Sequence, residues 1–333
     1  MIRRFRSVKA MILAAGATIA FAASAAAQTQ WVMASGYPEN NFLTQNLRKW
    51  VEDVEKNSGG KLKIMLHTND SLIKLDSIKS AVQRGQVQGG EIRLGVYGNE
   101  DPMFILDGVP FVASTYDDAW KLMEAQKPYF DKLFDKAGMV IAGYQVWPSQ
   151  GFYTKFEVKS VEDFKGKKIR IYSTATQRMA TLLGFNATIL PFAEIPQAFS
   201  TGLIEALFTS AQTGVDIQAW DNTKYFTNVG AILSKNALIF NKRAFDSLPA
   251  DVKKVVMDAS DAYTKRSWEM SKAADAAQSA ILKKNGMIVA EAPASVVEAM
   301  KKVGAQMASE WKATAKPDAI AVLDHYMAML KTH

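Results

Sequence analysis

The 333-residue chain contains no cysteine, so disulfides, thiolate metal sites and a cysteine nucleophile are excluded. Histidine is nearly as scarce. Of His67, His325 and His333, the last two fall in or near the C-terminal tail. No HExxH, GxSxG, Walker-type phosphate loop or GxGxxG is present, which removes the usual signatures of zinc hydrolysis, serine hydrolysis and nucleotide binding. Gly59-Gly60 and Gly89-Gly90 read as turn and close-packing glycines. Among 33 acidic residues no spacing singles out a catalytic pair. The sequence also lacks internal repeats, low-complexity tracts and Pro/Gly/Ser-rich linkers. Beyond its N-terminal segment it has no run apolar enough to cross a membrane.

What is present suffices for a large core: 48% apolar and 22% charged residues exclude disorder and fibrous classes. The net charge of +7 invites a nucleic-acid reading. However, Arg3, Arg4, Arg6 and Lys9 stand in an acid-free stretch followed by the apolar run Ala10 to Ala23 and by Ala25-Ala26-Ala27, the pattern of a cleaved secretory signal peptide. Cleavage after Ala27 leaves about +3, no footprint for a polyanion. As a membrane anchor the run falls short of the roughly 20 residues needed to span a bilayer. Arg3-Arg4 does not decide between the general and twin-arginine routes. Residues 28 to 333 are thus expected to be soluble and, in a bacterium, periplasmic.

Helix and strand signals alternate, which predicts an α/β architecture. Strands are expected at Trp31 to Ala34, Leu62 to Leu66, Val87 to Leu94, Met139 to Gln145, Gly151 to Lys155, Lys168 to Ile171, Asn186 to Leu190 and Leu203 to Phe208. Helices are expected after Asn40 or Asn41, through Ile78 and Val82, over Tyr116 to Lys136, Thr174 to Leu183 and Glu194 to Thr201. From Ala250 to Lys284 there is no Pro or Gly, and Val252, Val256, Ala259, Tyr263, Met270, Ala273, Ala277 and Ile281 recur at helical spacing. Such a helix is about 50 Å long. It outruns a domain of 100 to 150 residues, whose radius of gyration is near 13 to 15 Å, so one rod packing on two lobes is the expectation. Two shorter helices broken near Arg266-Ser267 are the alternative.

The segments Asp163-Phe164-Lys165-Gly166-Lys167-Lys168-Ile169-Arg170-Ile171, Pro191-Phe192-Ala193-Glu194-Ile195-Pro196-Gln197-Ala198-Phe199 and Thr201-Gly202-Leu203-Ile204-Glu205-Ala206 resemble, in matching order, the dicarboxylate-binding family of solute receptors of tripartite ATP-independent periplasmic (TRAP) transporters. Gly108-Val109-Pro110-Phe111-Val112, Lys224-Tyr225-Phe226 and Ser247-Leu248-Pro249 extend the likeness along nearly the whole mature chain. The resemblance implies two α/β lobes, crossing strands and one bracing helix. Lobe one is expected at 28–147 plus 236–275 and lobe two at 148–235 plus 276–333. It further implies a small organic carboxylate held between the lobes and delivered to an ion-gradient-driven membrane permease; no cofactor is expected, and the sequence assigns no residue to a metal without deciding whether an ion co-binds. An ABC-type receptor without the bracing helix and an exported hydrolase are the alternatives.

By the same resemblance Arg170 matches the arginine that holds the substrate carboxylate. A guanidinium presents two parallel donors and stays charged when desolvated; read from the strand alone, which sets it on the face of Lys168, Arg170 is rather a surface residue beside Lys167 and Lys168. Thr209 falls where the family has Asn, Phe192 where an aromatic packs on the substrate, Phe208 where it has Glu, and Gln150 where many members carry a second arginine. From the first lobe, Glu91 and Arg93 either bring opposite charges to the cleft or pair with each other. Tyr37, Asn40, Asn41, Asn69 and Ser71 follow strands where polar contacts are possible, with His67 more readily structural. Trp147, Tyr153, Tyr172 and Trp220 lie near mapped cleft segments. If several of these aromatics line the cleft, a flat or aromatic carboxylate suits it better than a polyhydroxylated sugar acid.

Overall fold

The computed structural model describes residues 28–331; the expected signal peptide at 1–27 and His333 lie outside the described residues. The chain begins with strand β1 (Thr29–Ala34), helix α1 (Phe42–Asn57), β2 (Leu62–His67), α2 (Ile78–Gln83), β3 (Gly89–Arg93), α3 (Tyr116–Lys136) and β4 (Met139–Val146). It continues with β5 (Gln150–Thr154), β6 (Lys168–Ile171), α4 (Thr174–Leu182), β7 (Asn186–Ile189), α5 (Ile195–Ser200), β8 (Ala206–Ser210), α6 (Ala211–Asp216) and β9 (Tyr225–Asn228). Strand β10 (Lys235–Asn241), α7 (Lys242–Asp246), α8 (Ala250–Lys284), β11 (Ile288–Glu291), α9 (Ala294–Thr314) and α10 (Pro317–Leu330) complete it.

The strands form two sheets, ordered β2-β1-β3-β10-β4 and β11-β9-β5-β8-β6-β7. Each is the spine of one lobe. The first lobe has parallel pairs β1/β2 and β1/β3, with β10 antiparallel between β3 and β4. In the second, β6 runs parallel to β7 and β8, and β5 runs antiparallel to β8 and β9. The chain crosses between lobes from β4 to β5 and returns from β9 to β10. These crossings touch, the Trp147 amide donating to the Ser234 carbonyl at 2.9 Å.

The third crossing is α8, 35 residues without a break. Val252, Val256, Ala259 and Tyr263 pack with Trp31, Trp50 and Phe240 on the first sheet, Trp268 and Ala274 join that lobe's other core, and Leu282 reaches the second lobe beside Phe226 and Tyr153. No interruption occurs at Arg266-Ser267 because Ser267 is needed inside. Its Oγ accepts from the Val146 amide at 3.1 Å, and Thr264 Oγ1 accepts from the Tyr144 amide at 3.0 Å. Strand β4 is a sheet edge, and α8 hydroxyls supply the acceptors that a further strand would have given. Gly143 permits the approach: a Cβ there would stand 3.0 Å from Tyr263 Cδ1 and 3.2 Å from the Ser260 carbonyl. The expected apolar stripe fails in the second half of α8, where Ala273, Ala277 and Ile281 are exposed. Small polar and apolar residues Ser267, Ser271 and Ala274 face inward instead.

Two further expectations shift. Strand β8 starts at Ala206 rather than Leu203, which is exposed in the preceding turn. The C-terminal segment does not stay with the second lobe: Val296, Met300, Val303 and Met307 of α9 belong to that core, but Trp311 and the α10 residues Ala319, Leu323 and Tyr326 join the first. Tyr326 donates to the Val112 carbonyl at 2.6 Å and Trp311 Nε1 to the Pro102 carbonyl at 2.6 Å.

Candidate functional site

Parallel strands leave a crevice outside their carboxyl ends, and here the crevices of the two sheets face one another. From the first lobe come Tyr37, just after β1, Arg93, the last residue of β3, and Trp147 at the β4–β5 crossing. The second lobe adds Gln150, Arg170, Tyr172, Phe192, Thr209, Ser210 and Thr213, and Ser234 enters from the returning crossing. Together they line a hollow of about 340 Å³ of atom-free space, including its opening to solvent.

Arg170 is 1% exposed. Its Nε donates to the Leu190 carbonyl at 3.0 Å, whereas its buried Nη2 has no partner. Among the described residues no carboxylate pairs with it. Burial first, and the positive charge of Arg93 second, lower its pKa; a guanidinium nevertheless remains a cation at neutral pH. Alternation along β6 leaves Lys168 exposed at the strand's start and carries Arg170, on the same face, inward at its end.

A polar chain backs this cation. Tyr172 donates through its hydroxyl to Gln150 Oε1, and Gln150 Nε2 donates to Ser234 Oγ at 3.0 Å. Ser210 caps α6, its Oγ accepting from the Thr213 amide at 3.3 Å, which brings both hydroxyl residues to the hollow beside Thr209. Beneath them, Tyr153 donates to the Ser210 carbonyl at 3.0 Å. The aromatic wall joins the lobes: the Tyr37 ring meets Trp147 edge-on at 5.1 Å and Phe192 of the second lobe at 5.9 Å.

Eight sequence-named residues therefore converge: Arg170, Thr209, Phe192, Arg93, Gln150, Trp147, Tyr172 and Tyr37. Phe208, Glu91 and Asn69 are among those that do not. Phe208 points to the opposite face of β8 from Thr209, where its ring lies 5.0 Å from Phe152 in the second core; the period-2 alternation of a strand forbids both from facing the hollow. Glu91 neither lines the hollow nor pairs with Arg93. It is fully buried and accepts from Ser35 Oγ at 2.8 Å, Gln145 Nε2 at 2.7 Å and Asn236 Nδ2 at 3.0 Å. Burial raises its pKa against these three donors. Through Asn236, whose Oδ1 accepts from Trp147 Nε1 at 2.9 Å, Glu91 holds the wall rather than the ligand. Asn69 is exposed in a left-handed turn, φ 54°, its amide donating to the Tyr37 carbonyl at 2.9 Å; Asn tolerates that conformation. Asn40 and Ser71 are likewise exposed.

Ser210, Thr213 and Ser234 were not singled out from sequence. Only Ser210 had a legible signal there, a serine placed to cap a helix after a strand.

The fold and the sequence that carries this site match known proteins closely. The family model described as "Bacterial extracellular solute-binding protein, family 7" covers residues 33–314. The chain belongs to this family. Among relatives of the family 7 receptors, a solute-binding protein of Albidiferax ferrireducens is 26% identical over 89% of this chain and 88% of its own length. A crystal structure of a Bordetella pertussis extracytoplasmic solute receptor binding pyroglutamic acid is 40% identical with a TM-score of 0.88, covering 90% of this chain and 99% of that one. A TRAP solute-binding protein specific for pyroglutamate, from a marine metagenome, is 33% identical with a TM-score of 0.88, covering 91% and 99%. Family 7 proteins are extracellular binding proteins rather than enzymes, and no helix among the described residues is long and apolar enough to cross a membrane.

Proposed function

We propose that this chain is a periplasmic TRAP receptor that captures a small monocarboxylate of the pyroglutamate type and passes it unchanged to its membrane permease. The observation that carries the reading is Arg170. A buried cation without a counter-ion is costly, and a ligand carboxylate accepting from its free Nη2 supplies the missing charge and acceptor. A flat five-membered lactam matches the lining in kind: Phe192, Tyr172, Trp147 and Tyr37 supply aromatic walls, and its amide edge suits Gln150, Ser234 and the hydroxyls of Thr209, Ser210 and Thr213, which donate and accept. The likeness to the two pyroglutamate receptors supports the ligand class.

Transformation of the ligand is not part of the reading. The described lining holds hydroxyls and two guanidiniums but no carboxylate or imidazole to act as base. Closure follows from binding, because a ligand touching both lobes makes more contacts in the closed form and shifts the population toward it. Export by the N-terminal segment supplies the compartment.

The test is calorimetry on protein freed of co-purified ligand. L-Pyroglutamate is expected to bind and to raise the melting temperature, and Arg170→Ala to weaken binding about a hundredfold or more, as for loss of a charge-assisted bidentate contact. Retention of affinity within about threefold in Arg170→Ala would overturn the anchor. Failure of pyroglutamate and of other small monocarboxylates to bind the unmodified protein would overturn the ligand class.

A further inference from the structure

The hollow holds a second guanidinium that the carboxylate does not explain. Arg93 ends β3 of the first lobe, is 7% exposed, and its buried Nε has no partner. Its Cζ stands 5.4 Å from the centroid of the Tyr172 ring, and that of Arg170 stands 5.7 Å from the same centroid. Two cations from opposite lobes thus meet over one tyrosine of the second lobe. A site for a dicarboxylate needs two unpaired cations, and at first sight this is one.

The pairing of Arg93 argues otherwise. Asp76, on the turn before α2, places Oδ1 3.5 Å from Arg93 Nη2. The pair is loose, beyond ordinary hydrogen-bond length, but it opposes the Arg93 charge at the site. Arg93 acts on Arg170 in one sense and Asp76 in the other. With Arg93 and Asp76 cancelling, the hollow presents one net positive charge, that of Arg170. One ligand carboxylate neutralises it. A second carboxylate beside Arg93 has to share that guanidinium with Asp76, and the like charges repel in a region of low dielectric. A neutral carbonyl has no such conflict: it accepts from Nε and leaves Asp76 in place.

We propose that Arg93 and Asp76 together set the charge of the ligand. Arg93 gives its free Nε to a neutral acceptor at the far end of a monocarboxylate held by Arg170, and Asp76 excludes a second carboxylate from that position. The proposal rests on the monocarboxylate reading above and adds a residue outside the lining, Asp76, as a specificity determinant. The chemistry selected is a carboxylate with a lactam or keto oxygen some four bonds away. Lobe closure brings Arg93 to that oxygen, so the discrimination operates when the first lobe docks.

The test compares L-pyroglutamate with glutarate, which carries carboxylates at both ends of the same five-carbon chain. Calorimetry on the unmodified protein is expected to favour pyroglutamate. In Asp76→Asn, a half-exposed site where the isostere is tolerated, the glutarate-to-pyroglutamate affinity ratio should rise tenfold or more. Asp76→Glu, which keeps the charge, should hold the ratio of the unmodified protein. Arg93→Gln should weaken pyroglutamate about tenfold and, combined with Asp76→Asn, remove the gain for glutarate. A ratio unchanged within a factor of two in Asp76→Asn, with its melting temperature preserved, overturns the proposal, as does a gain that survives Arg93→Gln. If thermal-shift screening replaces pyroglutamate by another monocarboxylate, the same ratio is measured for that acid against the dicarboxylate of equal chain length. The ligand reading and the charge rule therefore fail on different readouts.

Discussion

Asn41 of the first lobe donates through Nδ2 to Asp216 Oδ2 of the second at 2.7 Å. The same side chain caps α1, its Oδ1 accepting from the Leu43 amide at 2.9 Å, so one residue starts a helix and ties the two lobes. Gln212 donates to the other Asp216 oxygen at 2.7 Å. Neither Asn41 nor Asp216 lines the hollow, yet their bond exists only when the lobes are together.

Asn41→Asp separates the two duties. Aspartate remains a good N-cap, but it sets a carboxylate against Asp216 across the lobe boundary. Ligand affinity is expected to fall about tenfold, from like-charge repulsion in the closed form. The melting temperature of the ligand-free protein should change little. Calorimetry at low and high salt checks it, added salt recovering part of the loss; an affinity unaffected by the substitution would show that the bond is incidental to closure.

Asp216 also gives binding a pH dependence. Burial raises its pKa from 3.8 to about 6, against the lowering effect of Asn41 and Gln212. A carboxyl whose pKa is higher in the closed form than in solvent takes up a proton on closing between about pH 4 and 6. Closing, and with it ligand binding, is therefore favoured as the pH falls through 6, provided the ligand stays ionised. From pH 7 to 5 the gain is at most about tenfold for a shift of this size. Asp216→Asn, a neutral isostere of the protonated acid, should bind at pH 7 at least as tightly as the unmodified protein does at pH 5 and show a flat profile. A profile that keeps its slope in Asp216→Asn assigns the proton elsewhere.

The hydroxyls of α8 are expected to carry stability rather than affinity. Ser267→Ala and Thr264→Ala each orphan a buried amide of the edge strand, Val146 and Tyr144 respectively, at a cost of about 1–3 kcal/mol. Thermal melts should show a loss of several degrees for each. Alanine at the exposed Lys265 or Lys272 should not, and equal melts for both sets would show that water replaces the hydroxyls.

Arg170 and Phe208 illustrate how far the sequence reaches. Helix α3 was legible to the residue because Asp117 and Asp118 stand near its start and Gly138 follows it, and these are local signals. Arg170 was legible as a site residue through its motif, although β6 alone favoured a surface arginine. Phe208 was misplaced by the same motif, since alignment gives a position in order and alternation decides its face. Glu91 was misjudged for a different reason: its partners Ser35, Gln145 and Asn236 come from three other segments of the chain, and no local pattern announces a buried carboxylate's donors.

By itself the sequence determined the alternation of strands and helices, the length of α8 and the absence of cysteine and hydrolytic motifs, because each of these is written in neighbouring residues or in composition. Only the tertiary structure decided that α10 returns to the first lobe, that α8 closes a sheet edge with hydroxyls, and that Arg93 and Arg170 meet over Tyr172. Those outcomes depend on which buried charges and amides find partners across long stretches of chain, and desolvation makes that pairing a property of the packed molecule rather than of any segment.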